Sequence, residues 1–319
     1  MYDGGMQLAK TAKPLVEYRG QDSDFDDLMK VPILRFSSIE EVVFDLSSPA
    51  RYIVLDPRYT LPVDFMLMPR QNKRLMVGFH GAEMRKIADL PKFQFGNSVG
   101  RRDESFLALT DSTLLQGEKL SIGWFVGNKE TPLASLLSEV VNHAAAALGV
   151  EETVLVGHSA GGFAAIRVGM HVPNSRAVVV NAQTVAHLYH QWVVDEILET
   201  VFPECSSMQD MVAAYPDRFD LRVAAESRIE SSSFTFYAHR DDRLTFQLFP
   251  HFPLLAEHFG LTDSGGRTDH GDAFVPCFWE SKDPSPHALP GTVMPFLQRV
   301  LGEDPMQEFE FSVDPLWNR

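Results

Sequence analysis

Residues 153–166 read Thr-Val-Leu-Val-Gly-His-Ser-Ala-Gly-Gly-Phe-Ala-Ala-Ile. An unbroken apolar run ends here in a turn, and a run of small residues leaves it. A strand apolar on both faces is covered on both faces, which is the setting of a parallel sheet. The small residues after the turn suit a helix packed closely behind that strand. Within the turn, Gly157, Ser159 and Gly161 satisfy G-x-S-x-G. A serine in so sharp a turn needs neighbours without bulk, and glycines two positions either side meet that need.

The flanking pattern carries the same architecture outward. Apolar runs at Arg74–Phe79, Ser105–Thr110, Glu152–Val156, Arg176–Val180, Ser233–Tyr237 and Ala273–Phe278 alternate with helical stretches. Thr131–Leu148 reads as a helix opened by Thr131, with Pro132 at its first position and Gly149 ending it. Gly162–Met170 reads as the helix behind the third of these strands. The expectation is an α/β fold: a mostly parallel central sheet flanked by helices. Before it, Glu41–Leu46, Arg51–Leu55 and Val63–Met68 read as strands of an antiparallel opening section. The acidic run Asp22–Asp27 reads as solvated surface.

In domain terms, residues 1–73 form a strand-rich section continuous with a core over 74–302, and 303–319 form a C-terminal tail. Residues 181–230 interrupt the alternation with helical stretches, including Ala186–Val201. An insertion there sits above the carboxyl ends of the strands, where ligands bind in such sheets, and is a candidate lid.

Composition narrows the partners. The 319 residues carry a net charge of −15, which disfavours nucleic acid and anionic membrane surfaces. No apolar run reaches the length of a membrane helix, and Met1–Lys10 lacks a signal-peptide pattern, so a cytoplasmic protein is expected. The two cysteines, Cys205 and Cys277, are expected to be reduced. The oligomeric state is not legible.

A serine hydroxyl is a poor nucleophile until a base accepts its proton and an acid orients that base. In a strand–turn–helix setting of this kind the acid and then the histidine follow the serine along the chain. The acid is sought after the strand Ser233–Tyr237, in Ala238-His-Arg-Asp-Asp-Arg-Leu-Thr. Counting three residues from Ala238 selects Asp241; aligning the Asp-Arg-Leu-Thr ending selects Asp242. The reading takes Asp242, with Asp241 as the alternative acid. The base is sought after the last strand, which selects His287; the competitor His270 precedes that strand. His158 reads as a packing residue, and His187, His190, His251 and His258 as surface or core residues. His239, Asp241, Asp242, His270 and Asp272 could in principle hold a metal, but none of their pairs has a metal-ligand spacing. The expectation is therefore no metal and no cofactor. The oxyanion hole is expected from backbone amides at Ala160 and in the turn His80-Gly81-Ala82, with Gly81 and Ala82 as the positions.

On these motifs, residues 74–302 resemble the α/β-hydrolase superfamily. Gly157-His-Ser-Ala-Gly-Gly-Phe, Asn181-Ala-Gln-Thr and Tyr237-Ala-His-Arg-Asp-Asp further resemble bacterial hydrolase-like proteins associated with polysaccharide biosynthesis. Those proteins usually carry Gln-Asn where this chain has Ala-His, and often a histidine where it has Thr245. The resemblance implies a serine hydrolase acting on an acyl ester through an acyl-serine, with a small-molecule or glycan ester as substrate. An acyltransferase on the same three residues, and a non-catalytic binding or scaffold protein that kept the fold, are the alternatives.

Overall fold

The computed structural model describes residues 15–83, 89–96, 98–280, 283–291 and 293–302. The expected tail over 303–319 and the first fourteen residues lie outside them. The strands are β1 (Phe25–Asp26), β2 (Val31–Phe36), β3 (Ala50–Val54), β4 (Val63–Met68), β5 (Arg74–Phe79), β6 (Ser105–Leu109), β7 (Glu152–His158), β8 (Ser175–Val180), β9 (Ser232–His239), β10 (Gly266–Arg267) and β11 (Ala273–Cys277). They form one sheet in the order β1-β2-β3-β4-β6-β5-β7-β8-β9-β11-β10. From β6 through β5, β7, β8 and β9 to β11 every pairing is parallel.

Alternate residues of these strands feed two separate cores, which is why the strands read as unbroken apolar runs. Leu75, Val77, Phe79, Leu155, Ala177 and Val179 enter one cluster. Met76, Phe106, Val154, Val156, Val178 and Val180 enter the other. The first is covered by α1 (Leu133–Leu148) and α2 (Ala160–Gly169), through Leu137, Val141 and Phe163 among others. The second is covered by α8 (Val293–Gly302), through Phe296, Leu297 and Val300.

Between β8 and β9 the chain forms α3 (Gln191–Val201), α4 (Met208–Ala214), α5 (Pro216–Phe219) and α6 (Leu221–Ala224), and α7 (His251–His258) follows β9. The stretch expected to be helical from Ala186 is a short 3-10 turn over Ala186–Leu188 before α3 begins. Among the described residues, no helix is long and apolar enough to cross a membrane. Cys205 and Cys277 form no disulfide.

The opening section differs from expectation in three ways. Residues 41–46 form no strand. Their backbone is satisfied locally instead: the Val42 carbonyl meets His143 Nε2 at 2.8 Å, the Asp45 N–H donates to the Tyr52 hydroxyl at 2.9 Å, and the Asp45 carboxylate accepts the Ser47 N–H at 2.8 Å. An aspartate two residues before its own donor makes a turn, and a turn competes with a strand ladder. Second, β2 runs parallel to β3, so the section is only partly antiparallel. Third, the acidic run is not all solvated. Asp26 is fully buried, and Arg51, also fully buried, spans it and Asp64. Arg51 Nη1 lies 2.9 Å from Asp26 and its Nε 2.9 Å from Asp64, while Arg19 Nε lies 3.0 Å from Asp26.

Helix α1 begins at Leu133, with Pro132 as its cap residue. Thr131 does not cap it, because its hydroxyl accepts the N–H groups of Thr60 (3.0 Å) and Leu61 (3.2 Å). Gly149 ends the helix at φ 62°, as its place in the sequence predicts.

Replacing Arg51 removes the side chain that bridges two buried carboxylates. Arg51→Met is expected to destabilise the protein by about 3–5 kcal/mol. The chemical-denaturation midpoint checks this, and a loss under about 1 kcal/mol would show the network to be weak.

Candidate active site

Ser159 sits where β7 gives way to α2, with φ 54° and ψ −122°. That backbone is strained for any residue with a side chain, and the surroundings hold it. The Ser159 carbonyl accepts N–H bonds from Gly162 (3.0 Å), Phe163 (3.2 Å) and Gln183 (3.2 Å), and its own N–H donates to Val180 (3.2 Å). A Cβ on Gly157 would run into the Gly161 carbonyl, and one on Gly161 would lie 2.5 Å from the His80 carbonyl. Both glycines are therefore required by close backbone approach. The turn leaves the Ala160 N–H at the start of α2, where no earlier turn can accept it.

His287 arrives from the loop after β11, and Asp242 from the loop after β9. His287 Nε2 lies 3.0 Å from Ser159 Oγ, and His287 Nδ1 lies 2.8 Å from Asp242 Oδ2. Asp242 is buried and also accepts the Leu244 N–H (3.0 Å) and the Thr245 hydroxyl. Burial pushes its carboxyl pKa up, but the hydrogen bond and charge of His287, with Thr245 and Leu244, outweigh burial and hold it below the ordinary value. An ionised carboxylate on Nδ1 keeps the ring proton there and leaves Nε2 free to accept.

Asp241 is exposed, and its N–H turns back to His239 Nδ1 at 3.1 Å. His270 lies at the other end of the sheet, near the Ser232 carbonyl (2.9 Å) and Arg228 (3.2 Å) at the start of β9. His239 and His270 thus stand at opposite ends of one strand. Among the described residues, no cluster of three His, Cys, Asp or Glu side chains is placed to hold a metal ion.

The turn after β5 meets the serine from the other side. His80 is buried, and burial drives its pKa down to about 4. It accepts the Asp111 N–H on Nε2 (3.0 Å), so Nδ1 carries the proton and donates to the Gly81 carbonyl at 2.9 Å. The Gly81 N–H, one of the expected oxyanion positions, donates to Gln94 at 3.0 Å and is taken. Of the other expected positions, Ala160 opens α2 directly after Ser159.

Several side chains that fasten the His287 loop had no such role assigned from the sequence. Asn181, at the end of β8 with φ 44°, donates from Nδ2 to the carbonyls of Pro286 (2.9 Å) and His287 (3.0 Å). Its Oδ1 accepts the His239 N–H at 2.8 Å, and its own N–H reaches Tyr237 at 2.8 Å. One asparagine therefore ties the acid strand to the histidine loop. His158 does more than pack: its Nε2 lies 2.6 Å from the His287 carbonyl, and burial lowers its pKa to about 4, so the neutral ring donates that bond. Trp279 Nε1 donates to Ala288 at 3.1 Å, and its own carbonyl receives His239 Nε2 at 3.1 Å. The available signal was position, since Asn181 ends a strand beside the Ser159 strand and His158 adjoins the serine.

No model of a known protein family matches the sequence, and no curated protein is significantly similar to it. Solved structures do share its shape. The capsule O-acetyltransferase of Neisseria meningitidis serogroup A superposes with a TM-score of 0.53 at 15% identity, over 76% of this chain and 95% of that one. The acylaminoacyl peptidase of Pyrococcus horikoshii gives 0.53 at 11% identity, over 82% of this chain and 43% of that one. An S-formylglutathione hydrolase from Agrobacterium tumefaciens gives 0.50 at 12% identity, over 80% and 95%. With the sheet order and the turn at Ser159, these likenesses give the chain an α/β-hydrolase-like fold.

Proposed function

We propose that this protein is a serine hydrolase that cleaves a carboxylic ester through an acyl-serine intermediate. The observation that carries the reading is the continuous chain Ser159 Oγ–His287–Asp242, at 3.0 and 2.8 Å. Ser159 Oγ attacks the ester carbonyl carbon while His287 Nε2 takes its proton. The tetrahedral oxyanion is met by the N–H groups of Ala160 and Ala82, and the positive end of α2 adds to their field. His287 then returns the proton to the departing alcohol oxygen. Water enters by the same route, its proton passing to His287 and from there to Ser159 Oγ as the acyl–oxygen bond breaks and the acid is released. Asp242 holds the ring in its Nδ1–H form and offsets the charge that His287 acquires.

The helices over 181–230 act in this reading as a lid. Support comes from their attachment beside the site: the Leu221 N–H donates to the Thr184 carbonyl at 2.9 Å, and Val185 bridges Asp220. An O-acyl group on a glycan is the substrate class that the sequence resemblance implies. Transfer of the acyl group to a second alcohol uses the same three residues, and the fold likeness to a capsule O-acetyltransferase keeps transfer beside hydrolysis. A non-catalytic scaffold has no need of an aligned serine, base and acid.

Ser159→Ala is expected to lower turnover of short-chain esters by about 10⁴-fold or more. The unfolding free energy should stay within about 1 kcal/mol of wild type, since no core contact is lost. Wild-type turnover in this variant would refute the assignment.

Asp242→Asn should cost about 10⁴-fold in kcat, because an amide permits the wrong tautomer. Asp241→Asn should leave kcat within about twofold, as expected of an exposed side chain away from the site. The reverse order would exchange the two aspartates.

The pH profile tests the base. In wild type, kcat/KM should rise with pH through one ionisation, as only the neutral imidazole accepts the serine proton. Asp242, held below the ordinary carboxyl value, stays ionised across that rise and adds no second step. His287→Ala should abolish the activity that shows the rise, and His270→Ala should retain both. Loss of the rise in His270→Ala would contradict the assignment.

A further inference from the structure

Two buried N–H donors beside Ser159 have no role in the reaction just described. Gln183 follows Asn181 and Ala182 off β8, and its backbone N–H is fastened to the Ser159 carbonyl at 3.2 Å. Its side chain is 1% exposed, and its Oε1 accepts the indole N–H of Trp124. An indole nitrogen only donates, so the amide oxygen must face Trp124 and Nε2 must face away from it. That Nε2 is buried and makes no hydrogen bond.

His251, 2% exposed, supplies the second donor. Its Nδ1 accepts the N–H groups of Thr184 (3.3 Å) and Val185 (3.5 Å), which places the ring proton on Nε2. That nitrogen too is buried and unpartnered. Burial lowers the ring's pKa to about 3, and the charges it feels are those of His287 and Asp242. Gln183 is thus fastened to the turn that carries Ser159, while His251, bonded to the next two residues of the chain, lies within the fields of His287 and Asp242.

The neighbouring chain is strained in a way that favours a functional reading. Trp124 and Phe125 lie consecutively at φ 48° and 56°. The buried Asp111 carboxylate holds them there by accepting the Phe125 N–H at 2.9 Å. Strain of this kind survives only where surrounding contacts enforce it, and it concentrates at binding sites. From Trp124 a file of rings leads outward: Tyr189 at 6.1 Å, then His190 and Phe249 at 4.6 and 5.1 Å from Tyr189, and Trp192, 61% exposed, at 6.4 Å from His190.

We propose that Gln183 Nε2 and His251 Nε2 are specificity-determining donors that bind an uncharged hydroxyl or ether oxygen of the ester's alcohol part. The proposal rests on the Ser159 reading and deepens it: the preferred substrate is an ester of a hydroxylated alcohol. Two donors demand an acceptor. The two N–H groups turn their positive ends toward a cation, and an anion would feel the Asp242 carboxylate. A hydroxyl or ether oxygen satisfies both N–H groups without a charge to neutralise, and leaving them unpaired with a plain substrate is what creates discrimination.

The test compares kcat/KM for an O-acetylated methyl hexoside and for cyclohexyl acetate, whose alcohols match in ring size. The wild-type protein is expected to prefer the hexoside ester by about tenfold or more. Gln183→Glu keeps the oxygen that Trp124 needs and replaces the donor with an acceptor; His251→Phe keeps the ring and removes the N–H. Each is expected to reduce the hexoside preference by about 10–100-fold. A merely structural role would lower both rates together and leave their ratio intact. An unchanged ratio in the variants overturns the proposal, and so does a wild type without preference, which decides the matter even if both variants fail to fold. No turnover of either ester by the wild type overturns the Ser159 reading, and the proposal with it.

Discussion

A residue with a side chain, held at φ 54° between a strand and a helix, needs a backbone on each side that can come within van der Waals contact of itself. Here Gly157 faces the Gly161 carbonyl and Gly161 faces the carbonyl of His80, so two strand ends and the start of α2 converge with no Cβ between them. The position of every other group follows from that contact. It sets α2 behind β7, places the Ala160 amide beside the serine, and brings the Gly81–Ala82 turn across from it. Because β5, β7 and β8 pair in parallel register, their carboxyl ends lie on one edge, and the loops that leave them meet over the serine.

The histidine loop leaves β11, one strand in from the edge of the sheet. Its alignment comes from hydrogen bonds to its backbone rather than from burial of the ring: Asn181 and His158 both reach the His287 carbonyl. A neutral His158 can donate that bond because burial suppresses its protonation. Asn181 also holds the strand that leads to Asp242, so one side chain couples the acid and the base. In the proposed reaction the imidazole itself is then free to exchange a proton between Ser159 and a leaving oxygen.

Legibility followed the range of the interaction. The parallel core was readable because strands buried on both faces print as unbroken apolar runs, as at Arg74–Phe79, and because Gly149 and the glycines around Ser159 answer local backbone demands. Chain order brought His287 and Asp242 into view. Asp242 could not be separated from Asp241 by sequence, because one residue of loop register decides which carboxylate turns inward and which faces water. Asp26 was misread as solvated for a related reason: its partner Arg51 lies a whole strand away. The segment at 41–46 failed because turn bonds from Asp45 compete with strand pairing. Asn181, His80 and Gln183 act on groups distant in sequence, and their residue types alone announce none of those contacts.

The central claim is that Ser159 is activated, and mapping a covalent adduct tests it most directly. The protein would be treated with a fluorophosphonate, digested, and its peptides read by mass spectrometry. The account predicts a single phosphonylated residue, Ser159, formed in the wild type and absent from both Ser159→Ala and His287→Ala. An unlabelled wild-type protein, or an adduct on another residue with Ser159 untouched, would contradict it.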